Sequence, residues 1–195
     1  MSIRKIVIAP AWEEREPNEG ELLLRIKLGS KKSLSFGFGN HPTTSACLSL
    51  IAGLYEPKGP RPQRVLDVGS GSGVLSIACA RLGAADAQGI DIAQVALEVA
   101  PENAALNGVA GKIRFSLTPL EQIAGTFDLV LANLLGPILR KLYEPLCARA
   151  AGGLLLVSGF KEHESDELLA LFAARGAKLR TVVQSGEWCA ALLRA

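Results

Sequence analysis

Short apolar runs alternate along this chain with stretches in which apolar residues return every three or four positions, the pattern of strands alternating with helices. Val65–Val68, Ala87–Ile92, Ile113–Leu117, Phe127–Ala132 and Leu154–Ser158 read as strands. Val74, Ile77, Ala78 and Leu82 mark the inner face of one helix, and Cys47, Leu50, Ile51, Leu54 and Tyr55 that of an earlier one. A further helix is predicted from Ala93 to Asn107, closed by Gly108 and kinked at Pro101, which lacks a backbone donor. Leu179–Val183 and Cys189–Leu193, joined by Gln184-Ser185-Gly186-Glu187, read as a hairpin. Together these predict a mostly parallel sheet with helices on both faces. Ahead of it, Ile6–Ile8 and the alternating Leu22, Leu24, Ile26 and Leu28 flank a polar turn with Pro17 and Gly20. They predict a β-hairpin over residues 1–35 beside a core of residues 36–195, the whole of 1–195 forming one domain.

One turn carries most of the candidate chemistry. Val65-Leu66-Asp67-Val68-Gly69-Ser70-Gly71-Ser72-Gly73 is an apolar strand running into a glycine loop that opens a helix. There the backbone must approach a ligand closely and pass through positive φ. A dinucleotide fingerprint counted from Gly69 requires glycine or alanine where Val74 stands, and counted from Gly71 it meets Ser76 at that place. The next strand ends in Asp91, 22 residues after Gly69, where a carboxylate can accept both hydroxyls of a ribose. Ile92 follows as an apolar wall for a base. Asn133 closes the strand Phe127–Ala132 and either points into the crevice at the carboxyl ends of the strands or caps the helix that follows.

The Gly-x-Gly-x-Gly form with Asp67 two positions before its first glycine resembles the S-adenosylmethionine (SAM)-dependent methyltransferases of the Rossmann-like class. Asn133-Leu134-Leu135 resembles the Asn-Pro-Pro-aromatic motif of amino-group methyltransferases, with leucines in place of the prolines. No aromatic follows to stack a flipped base, which counts against a nucleic-acid substrate. Upstream, Phe36-Gly37-Phe38-Gly39-Asn40-His41-Pro42-Thr43-Thr44, taken with Ala132-Asn133-Leu134-Leu135, resembles the PrmA family, methyltransferases of ribosomal protein L11. The likeness runs from Phe36 to the end and back through Trp12.

That resemblance implies a seven-stranded sheet with an antiparallel last strand. It implies SAM contacts at Thr44, Gly69, Asp91 and Asn133, with Phe36 over the cofactor. Asp67, Ser70, Gly71, Gly73, Thr43 and Ile92 complete the expected cofactor site, and Asn133 with the Leu134 carbonyl would aim an acceptor amine. Thr43 and Thr44 stand where a helix begins, so their hydroxyls can cap it or bond a carboxylate. His41 reads as a residue that orders its loop, with general base as the other reading. Members of the family carry a separate amino-terminal domain for substrate recognition, and a hairpin of this size is not that domain. The substrate therefore stays open between ribosomal protein L11, another protein, a small molecule and a nucleic acid, and a SAM-binding module without catalysis stays open too.

Composition narrows this further. The chain has 195 residues, 49% hydrophobic and 21% charged, enough for one α/β domain with a full core. A net charge of +2 gives no nucleic-acid groove, and Lys31-Lys32 and Arg61 to Arg64 read as solvated loop charges. Cys47, Cys79, Cys147 and Cys189 lie far apart in apolar contexts and read as reduced thiols of a cytoplasmic protein. The two histidines, His41 and His163, with no clustered carboxylates or cysteines, predict no metal site. No segment is long and apolar enough for a signal sequence or a membrane span.

Overall fold

The computed structural model describes residues 5–27 and 41–195, so the motif residues Phe36 to Asn40 lie outside the described residues. Strands β1 (Lys5–Pro10) and β2 (Glu21–Ile26) form a two-stranded ribbon. The other seven strands, β3 (Arg64–Val68), β4 (Asp86–Ile90), β5 (Ile113–Ser116), β6 (Leu129–Asn133), β7 (Leu154–Lys161), β8 (Lys178–Ser185) and β9 (Trp188–Arg194), make one sheet in the order β5-β4-β3-β6-β7-β9-β8. Neighbours pair in parallel from β5 to β7, and β9 runs antiparallel to both β7 and β8. The expected antiparallel strand is present, one place in from the edge, with β8 outside it.

The chain builds outward from β3 through β4 to β5, then returns to lay β6 on the other side of β3. This reversal opens a crevice at the carboxyl ends of β3 and β6, because the connections that leave the two strands diverge. Helices α1 (Pro42–Leu54), α2 (Val74–Leu82) and α3 (Gln94–Leu106) cover one face, and α4 (Gly136–Arg149) and α5 (Ser165–Ala174) the other. The predicted helix through Pro101 forms within one residue of its expected start and end.

Side chains alternate across the sheet as the pleat requires. Val65, Leu129, Leu131 and Leu156 pack with Cys47, Ile51 and Ile77, and with Leu24 and Ile26 of the ribbon. Leu66, Val130, Leu155 and Val157 pack with Leu139, Leu146, Leu168 and Phe172. Both faces of the central strands are covered, which is why they read as unbroken apolar runs.

The ribbon corrects one expectation. Its strands pair in parallel, Lys5 beside Glu21 and Pro10 beside Ile26, and not as a hairpin. The connection between them is long enough to carry the chain back along a six-residue strand, a run of roughly 20 Å. Its return is pinned where Arg15 and Asn18 both bond the Glu21 carboxylate and the Lys5 amide donates to Gly20 (3.3 Å). On its far side, β2 is held by side chains of α3, since Asn103 and Asn107 bond the main chain of Lys27 and Arg25.

One close approach shapes the next layer. A Cβ at Gly89 in β4 would stand 2.5 Å from the Phe115 ring, whose tip also rests against Gly73. We expect Gly89→Ala to lower the unfolding free energy by about 1–3 kcal/mol through overpacking. Denaturant titration should find a smaller cost in a Phe115→Ala background, where the ring is gone; an equal cost there would mean that the ring is not the obstacle.

Candidate functional site

The glycine turn leaves β3 and is hung on the end of β4. The amides of Gly69 and Ser70 both donate to the Ile90 carbonyl (2.8 and 3.0 Å), and the Gly73 amide closes back on Ser70 (2.8 Å). Gly69, Gly71 and Gly73 have φ of 74°, 52° and 78°, values that side chains with a Cβ rarely adopt. The Gly71 amide donates to Asp91 Oδ2 (2.8 Å), while Asp91 Oδ1 accepts from the Ala93 amide (2.9 Å) where α3 begins. One carboxylate thus ties the turn after β3 to the turn after β4.

Asp67 lies beneath the loop, 1% exposed, and accepts from the Ser76 amide (3.1 Å) in the first turn of α2. Burial pushes its carboxyl up to about 7, against the downward pull of the Ser76 bonds and with a small upward push from Asp91. It braces the loop from behind and does not line the cleft.

The facing wall comes from β6 and β7. Asn133 is the last residue of β6, and the helix cap behind it is Leu135, which excludes the capping role for Asn133. Its Nδ2 donates to Thr44 Oγ1 (3.5 Å), joining β6 to α1. The Leu134 amide donates to Ser158 (2.9 Å), and the register of β7 then slips at Gly159. With φ of 91° and the Leu134 carbonyl directly against the place of its missing Cβ, Gly159 leaves the Leu134 main chain uncovered. Behind this wall Arg140 of α4 bonds Glu164 (3.0 Å), and Glu164 also accepts from the Lys161 amide (2.8 Å). Those donors hold the Glu164 carboxyl below its ordinary range. The result fastens the start of α4 to the end of β7.

His41 caps α1, its Nδ1 accepting from the Thr43 amide (3.4 Å) and lying within hydrogen-bond distance of the Thr43 hydroxyl (2.7 Å). Its ring stands edge-on to Trp188, centroids 5.1 Å apart. This makes His41 a helix cap, while the loop it was expected to order lies outside the described residues. Thr43 and Thr44 therefore do not cap the helix themselves.

These walls enclose a cleft of about 720 Å³. Of the expected residues, Thr43, Gly69, Gly71, Asp91, Ile92, Asn133 and Leu134 line it. Thr44, Asp67, Ser70 and Gly73 stand behind it, and Phe36 lies outside the described residues. Ile92 is 98% exposed, a large apolar side chain at the mouth. Sequence reasoning missed the opposite lip, Thr118-Pro119-Leu120-Glu121, which the bond from the Asp91 amide to Ser116 (3.1 Å) sets beside Asp91. It also missed Ile138 and Leu142 on α4, and Gly159, and gave Leu135 a place in the motif but none in the cleft. The three-and-four spacing of Leu135, Ile138 and Leu142 was the available signal.

Among the described residues no three His, Cys, Asp or Glu side chains gather as a metal site, and no helix is long and apolar enough to cross a membrane. All four cysteines are free and buried, and burial pushes their thiols up.

The family model for ribosomal protein L11 methyltransferase (PrmA) matches residues 1–195. A ribosomal protein L11 methyltransferase of Syntrophotalea carbinolica is 42% identical over 94% of this chain and 59% of its own length. One of Geotalea daltonii is 40% identical over 94% and 60%. The chain thus spans about three fifths of the curated relatives it matches. Among solved structures, ribosomal protein L11 methylase from Lactobacillus delbrueckii subsp. bulgaricus superposes with a TM-score of 0.83 at 30% identity, over 99% of this chain and 95% of that one. An RNA methyltransferase from Salinibacter ruber, at 21% identity and a TM-score of 0.54 over 68% of this chain and 80% of that one, shares the fold.

The buried Asp67 has a signed consequence. Its carboxyl is raised in the folded state, so the fold binds a proton that the unfolded chain has released, and this group makes the protein less stable as pH rises from about 4 to about 7. Asn at this position does not ionise. We expect the melting temperature of Asp67→Asn relative to the parent to rise between pH 5 and pH 8, and a difference that stays flat or falls would contradict the assignment.

Proposed function

Because the chain belongs to the ribosomal protein L11 methyltransferase (PrmA) family, we propose that it transfers a methyl group from SAM to amino groups of a protein, ribosomal protein L11 or one like it. The observation that carries this reading is the cleft itself, in which Asp91, bonded to the glycine turn, faces Asn133 and Leu134.

The residues fit the cofactor. Gly71 lines the cleft, and among the described residues nothing comes within 4 Å of where a Cβ would stand, which leaves room for a ligand beside the main chain. Asp91 keeps lone pairs beyond its two amide bonds for ribose hydroxyls. Ile92 and Leu120 offer apolar walls for a base, and Gly69, Thr43 and Asn133 border the rest, with Thr44 bonded to Asn133 from behind. When bound, SAM supplies an activated methyl on a sulfonium.

The work left to the protein is positioning and proton control. A lysine amine with an ordinary pKa of about 10.4 is neutral only about once in 2,500 molecules at pH 7, a cost of roughly 4.6 kcal/mol. Asn133 Oδ1 and the Leu134 carbonyl, kept bare by Gly159, would accept the amine hydrogens and aim its lone pair. The apolar side chains of Leu134, Leu135 and Ile138 lower the dielectric around it, which favours the neutral amine. Orientation would then provide most of the acceleration. The ribbon shares a core with α1 and α2, which supports treating 1–195 as one methyltransferase domain. Four free buried thiols suit the cytoplasm, where ribosomal proteins are made.

Isothermal titration with SAM and S-adenosylhomocysteine tests the cofactor. We expect binding by the parent and a loss of roughly 100-fold in Asp91→Ala, which removes two charge-assisted contacts worth about 1.5 kcal/mol each. No binding by folded parent protein would end the methyltransferase reading. Labelled SAM with purified ribosomal protein L11 tests the substrate, and intact binding without transfer to any protein would leave a binding module. In Asn133→Ala turnover should fall far more than SAM affinity; equal losses would contradict its role toward the acceptor.

A further inference from the structure

The glycine turn has a support that the proposed function does not assign. Asn103 on α3 is fully buried and uses its carboxamide three ways. Oδ1 accepts from the Lys27 amide (2.7 Å), and Nδ2 donates to the Lys27 carbonyl (3.1 Å) and to the Ser72 carbonyl in the turn (3.0 Å). Asn107, one helical turn on, treats Arg25 in the same way, at 3.0 and 2.7 Å, but its remaining bond goes to Asn103 within α3 (2.8 Å).

The match is one of repeat lengths. Residues four apart on a helix are separated by about 6 Å along its axis, and alternate residues of a strand by about 6.7 Å. A planar carboxamide carries the donor and acceptor of a peptide group. The two asparagines therefore bind the main chain of Arg25 and Lys27 as a neighbouring strand would. Only Asn103 reaches past the strand to the turn. Ser72 does not supply that hold itself, since its buried hydroxyl has no hydrogen-bond partner among the described residues.

We propose that Asn103 is a positioning residue for the cofactor turn: by gripping Lys27 and Ser72 with one carboxamide, it fixes the Gly71-Ser72-Gly73 main chain against the amino-terminal ribbon, and cofactor binding tightens that grip. Asn107 supports the same strand without touching the turn, so it separates positioning from stability. The inference rests on the methyltransferase reading.

The test is titration of S-adenosylhomocysteine into the parent, Asn103→Ala and Asn107→Ala, with melting temperatures recorded for each. Both variants should melt earlier by similar amounts. The dissociation constant should rise about tenfold in Asn103→Ala, the loss of one buried hydrogen bond's worth of order, and by less than about twofold in Asn107→Ala. Equal weakening in both, or none in Asn103→Ala, would overturn the proposal while leaving the cofactor site intact. Failure of the parent to bind would overturn the functional reading and this inference with it. A measurement on the parent alone covers the case in which Asn103→Ala does not fold: saturating ligand should slow hydrogen exchange at the Lys27 amide, held by Asn103, more than at the Arg25 amide, held by Asn107. Equal protection of the two would refute the coupling.

Discussion

The bond from the Gly71 amide to the Asp91 carboxylate is the one on which the cleft depends. The turn after β3 contains three residues in left-handed conformations, and a main chain so bent has few ways to satisfy its own amides. The Ile90 carbonyl takes two of them and Asp91 takes the next, so the turn is shaped by β4 as much as by its own glycines. The site is then largely formed before any ligand arrives, which reduces the ordering that binding must impose.

Glycine serves the two walls differently. At Gly71 the missing side chain leaves room in the cleft, whereas at Gly159 it uncovers a main-chain carbonyl of the neighbouring strand. The second kind depends on a register slip in β7, held in place by the Arg140, Glu164 and Lys161 bonds outside the cleft. Two irregular backbone segments, each braced from behind, thus face each other across the switch point of the sheet.

Much of this was legible because it is local. The apolar runs gave the strands, since a strand buried on both faces has no polar positions. The turn, Asp91 and Asn133 lie at strand ends that the sequence marks with glycine, aspartate and asparagine. What was hidden depends on pairing across distance. The Thr118–Glu121 lip has no pattern of its own and reaches the cleft only because β5 pairs beside β4. The parallel sense of the ribbon was missed because alternation reads the same in either direction, and only the anchoring of Glu21 reveals which way the chain returns. Asn103 sits among alanines on a helix, and its partners are more than thirty residues away.

The place of β9 also bears on the order in which the molecule can be assembled. Strand β8 makes all its sheet bonds to β9, which is later in the chain and wedged between β7 and β8. Until residues 188–194 are in place, β7 presents a bare edge and β8 has no strand to pair with, although α5 can already pack on α4. The parallel half, β3 to β7, can close as the chain is made, but the side of the sheet that carries Trp188 must wait. Synthesis and completion of the sheet are separated, and an unpaired strand edge such as that of β7 in the interval is a template for mispairing.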